Sequence, residues 1–319
     1  MRSALRSLIA LVAILSLAAC STGGGATASP SASAAAPSTE PSSPASASPA
    51  ASASACTADE LQTATSGKLT IGTDNPAFPP FFEPPVEASA ATDPWELGDP
   101  TNGEGFESAF AYALADQLGF AEDAVTWIVV PFDNAIAPGE KAFDILVNQI
   151  SFTPERAQAV DLSDGYYFNN QSVVGLKDTP IASVTTVAGL KPFKFGAQIG
   201  TTSLDTINNV IAPTTEAMVY NTNDDAVAAL NAKQIDGLVV DLPTSFYVTS
   251  VQVENSVVIG QFPAPTGADA EHFSVLLEKD SALTDCVNQA IQALKDSGEL
   301  EAITTEWLSD KVNAPVFTP

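Results

Sequence analysis

The chain has 319 residues, 45% of them hydrophobic, and a formal charge of −26 at pH 7. Such acidity excludes nucleic acid and anionic lipid as partners, since both would repel it. A single histidine, His272, and three dispersed cysteines exclude a His-rich metal site and a His-based catalytic triad.

Along the chain, Arg2 and Arg6 precede a short apolar stretch from Leu8 to Leu17, followed by Leu17-Ala-Ala-Cys20. A positive, acid-free start and an apolar run too short to span a membrane make residues 1–20 an export signal. Its last four residues look like a bacterial lipobox. That implies cleavage before Cys20, diacylglycerol on its sulfur, and attachment to the outer face of the cell membrane. Residues 21–55 are almost wholly Ser, Ala, Pro, Thr and Gly, and globular composition starts near residue 66. The stretch 21–65 is therefore predicted to be a disordered tether. Cys56 and Cys286 are left as an even pair in an exported protein and are predicted to form a disulfide; two separate thiols are the alternative.

Leu69–Thr73 reads as a strand ending at Asp74. The Pro- and acid-rich segment from Glu83 to Glu104, with Trp95, reads as a surface loop near a cleft mouth. Phe106, Phe110, Leu114 and Leu118 recur every four residues, one apolar helix face. Val125–Val130 and Phe143–Val147 read as buried strands, and Thr153-Pro154 as a helix start. This order predicts a parallel sheet with covering helices. Residues 172–262 repeat the scheme, with strands at Ser172–Leu176, Phe195–Gln198, Ala217–Tyr220 and Gly237–Asp241. Helices start at Leu204 and run from Asp224 to Ala232. Phe273–Leu277 reads as one more strand, before helices marked by Val287, Ile291 and Leu294 and by Leu300, Ile303 and Trp307. Two α/β units of this size predict two lobes, with a ligand cleft where strand ends face each other.

Three features bear on chemistry. Arg156, in the run from Phe143 to Tyr167, is the one arginine after the leader. Its planar fork can hold a carboxylate in paired hydrogen bonds, whereas a surface pair with Glu155 or Asp161 would contribute little. Gln198-Ile-Gly-Thr-Thr-Ser203 follows a strand and opens a helix, a place where N–H groups and hydroxyls meet an anion. Asp241 closes the strand Gly237–Asp241; its other reading is an N-cap before Leu242-Pro243.

These three runs resemble the bacterial extracellular solute-binding proteins of family 3, the binding lipoproteins of amino-acid ABC importers, in an actinobacterial-like form. The resemblance covers 66–311 and implies a type II, two-lobed periplasmic-binding-protein-like α/β fold. Lobe 1 would be 66–171 plus 264–319 and lobe 2 would be 172–263, joined by two hinge strands. It implies that Arg156 and the backbone of Ser151 hold a ligand carboxylate together with Gln198, Thr201, Thr202 and Ser203. Asp241 would hold the ammonium with Asn148, Gln149 and Ser151, and Phe78 and Phe132 would frame the ligand. Asn148-Gln149 departs from the small residues more usual there.

The function implied is capture of a free amino acid by hinge closure, without cofactor or covalent chemistry, and delivery to a permease with a separate ATPase. The protein would act as a monomer. No second arginine is available for an acidic ligand, which favours a polar, uncharged side chain. Asp74 and Glu107 leave room for a basic one. The rivals are a cyclohexadienyl dehydratase-like enzyme using Asp241 and Glu107 as acid and base, and a ligand-sensing module.

Overall fold

The computed structural model describes residues 56–85, 93–263, 270–308 and 314–319; the predicted leader, Cys20 and the tether to residue 55 lie outside them. In the first lobe, β1 (Leu69–Thr73) is followed by α1 (Phe106–Gln117), β2 (Val125–Val129), α2 (Phe132–Ile136), β3 (Ile145–Leu146), α3 (Arg156–Ala159) and β4 (Asp161–Leu162). The chain crosses through β5 (Tyr167–Phe168) into β6 (Gln171–Leu176), α4 (Val187–Leu190), β7 (Phe195–Gln198), α5 (Thr202–Asp205) and β8 (Met218–Tyr220). Then come α6 (Asn223–Asn231), β9 (Gly237–Asp241), α7 (Leu242–Tyr247) and β10 (Ser256–Gln261). It returns through β11 (His272–Phe273) to β12 (Leu276–Leu277), α8 (Thr284–Ser297) and α9 (Glu299–Leu308).

Two five-stranded sheets result, ordered β2-β1-β3-β12-β4 and β10-β6-β9-β7-β8. The predicted all-parallel sheets are in fact mixed. β1 is parallel to β2 and β3, and β7 to β8 and β9, but β12, β6 and β10 run antiparallel to their neighbours. The antiparallel strands are those next to a crossing, where no helical crossover reverses the chain before pairing. β5 and β11, one on each crossing, pair with each other and tie the links together. Val125–Val129 is half-buried rather than buried, because it forms the edge of its sheet.

The first core is built on α1, whose Phe106, Phe110, Leu114 and Leu118 are buried as their spacing predicts, and it is closed by α8 and α9. Phe110 stacks on Tyr166 with ring centroids 4.2 Å apart. The second sheet is covered on both faces by separate apolar clusters.

Two boundaries differ from the sequence reading. The chain is already folded before residue 66, where Cys56 is disulfide-bonded to Cys286. Behind that bond, Cys56, Ala58 and Leu61 pack on the first core, and Ala64 N donates to Asp144 Oδ1 at 2.6 Å. At the other end, residues 314–319 leave the first lobe for the second. Gln261 N donates to Pro315 O at 2.8 Å, Phe317 N returns to Gln261 O at 2.9 Å, and the Phe317 side chain enters the second core. The tail thereby covers the end of the open edge of β10 at Gln261, whose backbone groups would otherwise be unpaired there.

Candidate functional site

The parallel strands of both lobes point their carboxyl ends at one interlobe cavity, and each loop that leaves a strand there supplies a wall. From the first lobe come Asp74 and Phe78 after β1, Phe132 at the start of α2, Asn148, Gln149 and Ser151 after β3, and Arg156 of α3. From the second come Gln198 at the end of β7, Thr201, Thr202 and Ser203 after it, and Asp241 at the end of β9. The residues that the sequence singled out for ligand contact, Glu107 excepted, therefore meet around this cavity, together with Thr222, Asn223 and Asp224 at the start of α6. Its volume, about 150 Å³, has room for on the order of ten water-sized groups. That matches a free amino acid rather than a peptide.

Arg156 is 9% exposed and is not engaged in a surface pair with Asp161, whose salt bridge at 3.1 Å is to Lys279. Its Nη1 donates to Ser151 O at 2.6 Å and its Nη2 to Gly200 O at 2.8 Å, one carbonyl from each lobe. Gly200 sits at φ 74, a left-handed conformation that a side chain would strain. The guanidinium lies over the Phe132 ring, 5.4 Å from its centroid. Thr153, the predicted cap, accepts from Arg156 N at 3.1 Å through its hydroxyl and so fixes the turn that presents the arginine. Burial lowers the arginine's pKa, and the fields of Asp241, Glu271 and Asp205 oppose that. A guanidinium has five N–H donors. Two hydrogen bonds to neutral carbonyls leave both donors and charge for an anion.

Asp241 is the complementary pole. Its Oδ1 accepts from Gln171 Nε2 at 2.6 Å and from Asn169 Nδ2. Burial pushes its pKa up to about 7, with Glu271 adding repulsion, while Gln171, Asn169 and Arg156 pull it down. Asp74, held by Asn75 N at 2.8 Å and Phe132 N at 3.2 Å, is also raised by burial, and so is Asp224.

The hydroxyls of the Thr201–Ser203 turn serve protein partners. Thr201 Oγ1 caps α5 by accepting from Leu204 N at 3.2 Å, Thr202 Oγ1 donates to Glu271 Oε1 at 2.7 Å, and Ser203 Oγ donates to Gln171 Oε1 at 2.7 Å.

Glu107, the predicted partner acid of an enzyme and a candidate for holding a basic ligand, does not line the cavity. It is fully buried behind Gln149, accepting from Gln149 N at 2.7 Å, from Gln149 Nε2 and from Tyr166 OH. That clamp holds Gln149 at φ 47, a strained conformation for a side-chain-bearing residue. It also explains Asn148-Gln149: the glutamine amide is spent on a buried carboxylate. Trp95, expected on a surface loop, is 7% exposed, and the strand-to-helix segment folds back so that Asn75 Nδ2 donates to Pro94 O at 2.8 Å.

Sequence reasoning missed Glu271 and the role of Asp224. Asp224 follows a strand and opens a helix on the cleft side, a signal that was present. Glu271 carries none.

Residues 86–310 match the family model described as bacterial extracellular solute-binding proteins, family 3. The arginine-binding extracellular protein ArtP of Bacillus subtilis (strain 168) is 28% identical over 225 residues, covering 69% of this chain and 84% of that protein. The L-cystine-binding protein TcyJ of Escherichia coli (strain K12) is 24% identical over 249 residues, covering 77% of this chain and 84% of that one. Among solved structures, an ancestral arginine-binding protein bound to glutamine superposes with a TM-score of 0.60 at 26% identity, over 76% of this chain and 98% of that one.

Proposed function

The chain belongs to the bacterial extracellular solute-binding proteins, family 3, and on that premise we propose that it captures one free amino acid in the interlobe cavity and hands it to an ABC permease. The observation that carries this reading is Arg156, a buried guanidinium bonded only to neutral carbonyls among the described residues and set at the seam of the two lobes. A ligand carboxylate supplies the missing counter-charge, and Asp241 supplies one for the ligand ammonium. Export and lipid attachment at Cys20 complete the proposal and keep the protein beside its permease.

The side chain of the ligand is read from charge balance. The cavity wall carries Asp74, Asp224 and Asp241 against one guanidinium. Once the α-groups have used Arg156 and Asp241, two carboxylates remain to meet the rest of the ligand. Both are held above their ordinary pKa by burial, a cost that a neighbouring cation offsets. This favours a cationic amino acid over the polar, uncharged one that the arginine census alone suggested. That ArtP of Bacillus subtilis is an arginine-binding protein supports it.

Thermal-shift screening against the twenty amino acids, ornithine and citrulline tests both levels. Ligand that binds the folded state raises the melting point with concentration. The expected result is a rise with arginine, lysine or ornithine and little with citrulline, the neutral isostere of arginine. A rise with neutral amino acids alone would overturn the ligand class, and no rise with any would overturn the function.

A further inference from the structure

Behind the cavity, one carboxylate gathers donors from both lobes. Glu271 lies on the return crossing, directly before β11. It is fixed to the first lobe and the first crossing: its carbonyl accepts from Asn169 N at 3.1 Å, His272 O accepts from Phe152 N at 2.9 Å, and Phe273 bridges Ser151. Glu271 Oε1 accepts from Ser151 Oγ at 2.8 Å, Gln171 Nε2 at 3.0 Å and Thr202 Oγ1 at 2.7 Å. Ser151 belongs to the first lobe and Thr202 to the second, so the carboxylate joins the lobes without lying on the cavity wall itself. Among the described residues no lysine or arginine lies within ion-pair distance of it. Its charge is instead solvated by these three neutral donors.

We propose that Glu271 is a ligand-independent clasp, a positioning residue that holds the lobes at their closed spacing and sets the polarity of two cavity hydroxyls. A hydroxyl has one proton. With those protons committed to Glu271, Ser151 and Thr202 can only accept from a ligand, which suits an ammonium and rejects a carboxylate. Gln171 extends the same control to Asp241, because its Nε2 donates to both acids. Opening the cleft pulls Thr202 away from a charged acceptor, and bonds to charged acceptors are stronger than neutral ones. The clasp therefore biases the protein towards closure before any ligand arrives and slows ligand release afterwards. It rests on the hinge-closing reading above.

The test compares the full chain with Glu271→Gln, which keeps an acceptor oxygen but removes its charge and so weakens the bond from Thr202, and with Thr202→Val, which removes that bond. Small-angle scattering without any added amino acid should give both variants a larger radius of gyration than the parent. With L-arginine as probe, stopped-flow dissociation should be roughly tenfold faster or more in each, with association little changed. The double variant should be no faster than Thr202→Val alone, since a bond already removed cannot be weakened further. A residue that only supported the fold would lower the melting point and leave these readouts alone. Parent-like scattering and dissociation in Glu271→Gln would overturn the clasp. Should that variant fail to fold, parent-like behaviour of Thr202→Val would do so. If the parent binds no amino acid, the function fails on its own, and the scattering comparison still decides the clasp.

Discussion

Arg156 and Asp241 bring opposite charges to the cavity wall, and their variants should separate binding from folding. Arg156→Lys keeps the charge but loses the planar fork. It is expected to weaken amino-acid binding more than tenfold by calorimetry while the melting point stays near that of the parent. Asp241 must be ionised to hold an ammonium, and burial raises its pKa to about 7. Below that pH the ligand has to displace a proton, so affinity falls as pH drops through about 7 and is flat above it. The limiting slope is about tenfold per pH unit. Titrations between pH 5.5 and 8.5 check this, and Asp241→Asn should bind weakly with no such slope. Arg156 was legible because a lone guanidinium after the leader has few structural uses. Glu271 was not, because its partners Ser151, Gln171 and Thr202 lie 120, 100 and 69 residues away. No local pattern encodes such a meeting.

Among the elements, α1 shows how far periodicity carries. Its four-residue repeat identified the buried face, and the structure adds that Phe110 packs flat against Tyr166. Phe110→Ala should cost about 3–5 kcal/mol in chemical denaturation, the usual range for an aromatic deleted from a core. Strand positions were legible where apolar runs end at a turn, as in β7 and β9. Strand order was not: Val125–Val129 has the composition of a buried strand yet lies at an edge, a fact decided by long-range pairing. The run Phe273–Leu277, read as one strand, divides into β11 and β12 because it first pairs with the other crossing and then enters the first sheet. The C-terminal tail, expected in lobe 1, joins the second lobe for a similar reason. Its short apolar pair, Val316 and Phe317, gives no hint of a distant edge.

At the scale of the whole molecule, the disulfide and the clasp act on different parts of one hinged body. Cys56–Cys286 pins the segment before β1 to α8 within the first lobe and does not touch the second. Replacing both cysteines by serine should lower stability by about 2–5 kcal/mol, with ligand affinity at low temperature unchanged. The two crossings pair through β5 and β11, the place where the proposed closure would hinge. All of this serves the event proposed above, the gripping of a ligand carboxylate by Arg156 as the lobes meet. Calorimetric titration of L-arginine against L-arginine methyl ester, which keeps both cationic groups and lacks the carboxylate, examines that event most directly. One saturable site for the free acid and at least a hundredfold weaker binding of the ester, about 2.7 kcal/mol by the usual affinity arithmetic, is the outcome expected. Equal binding of acid and ester would contradict it.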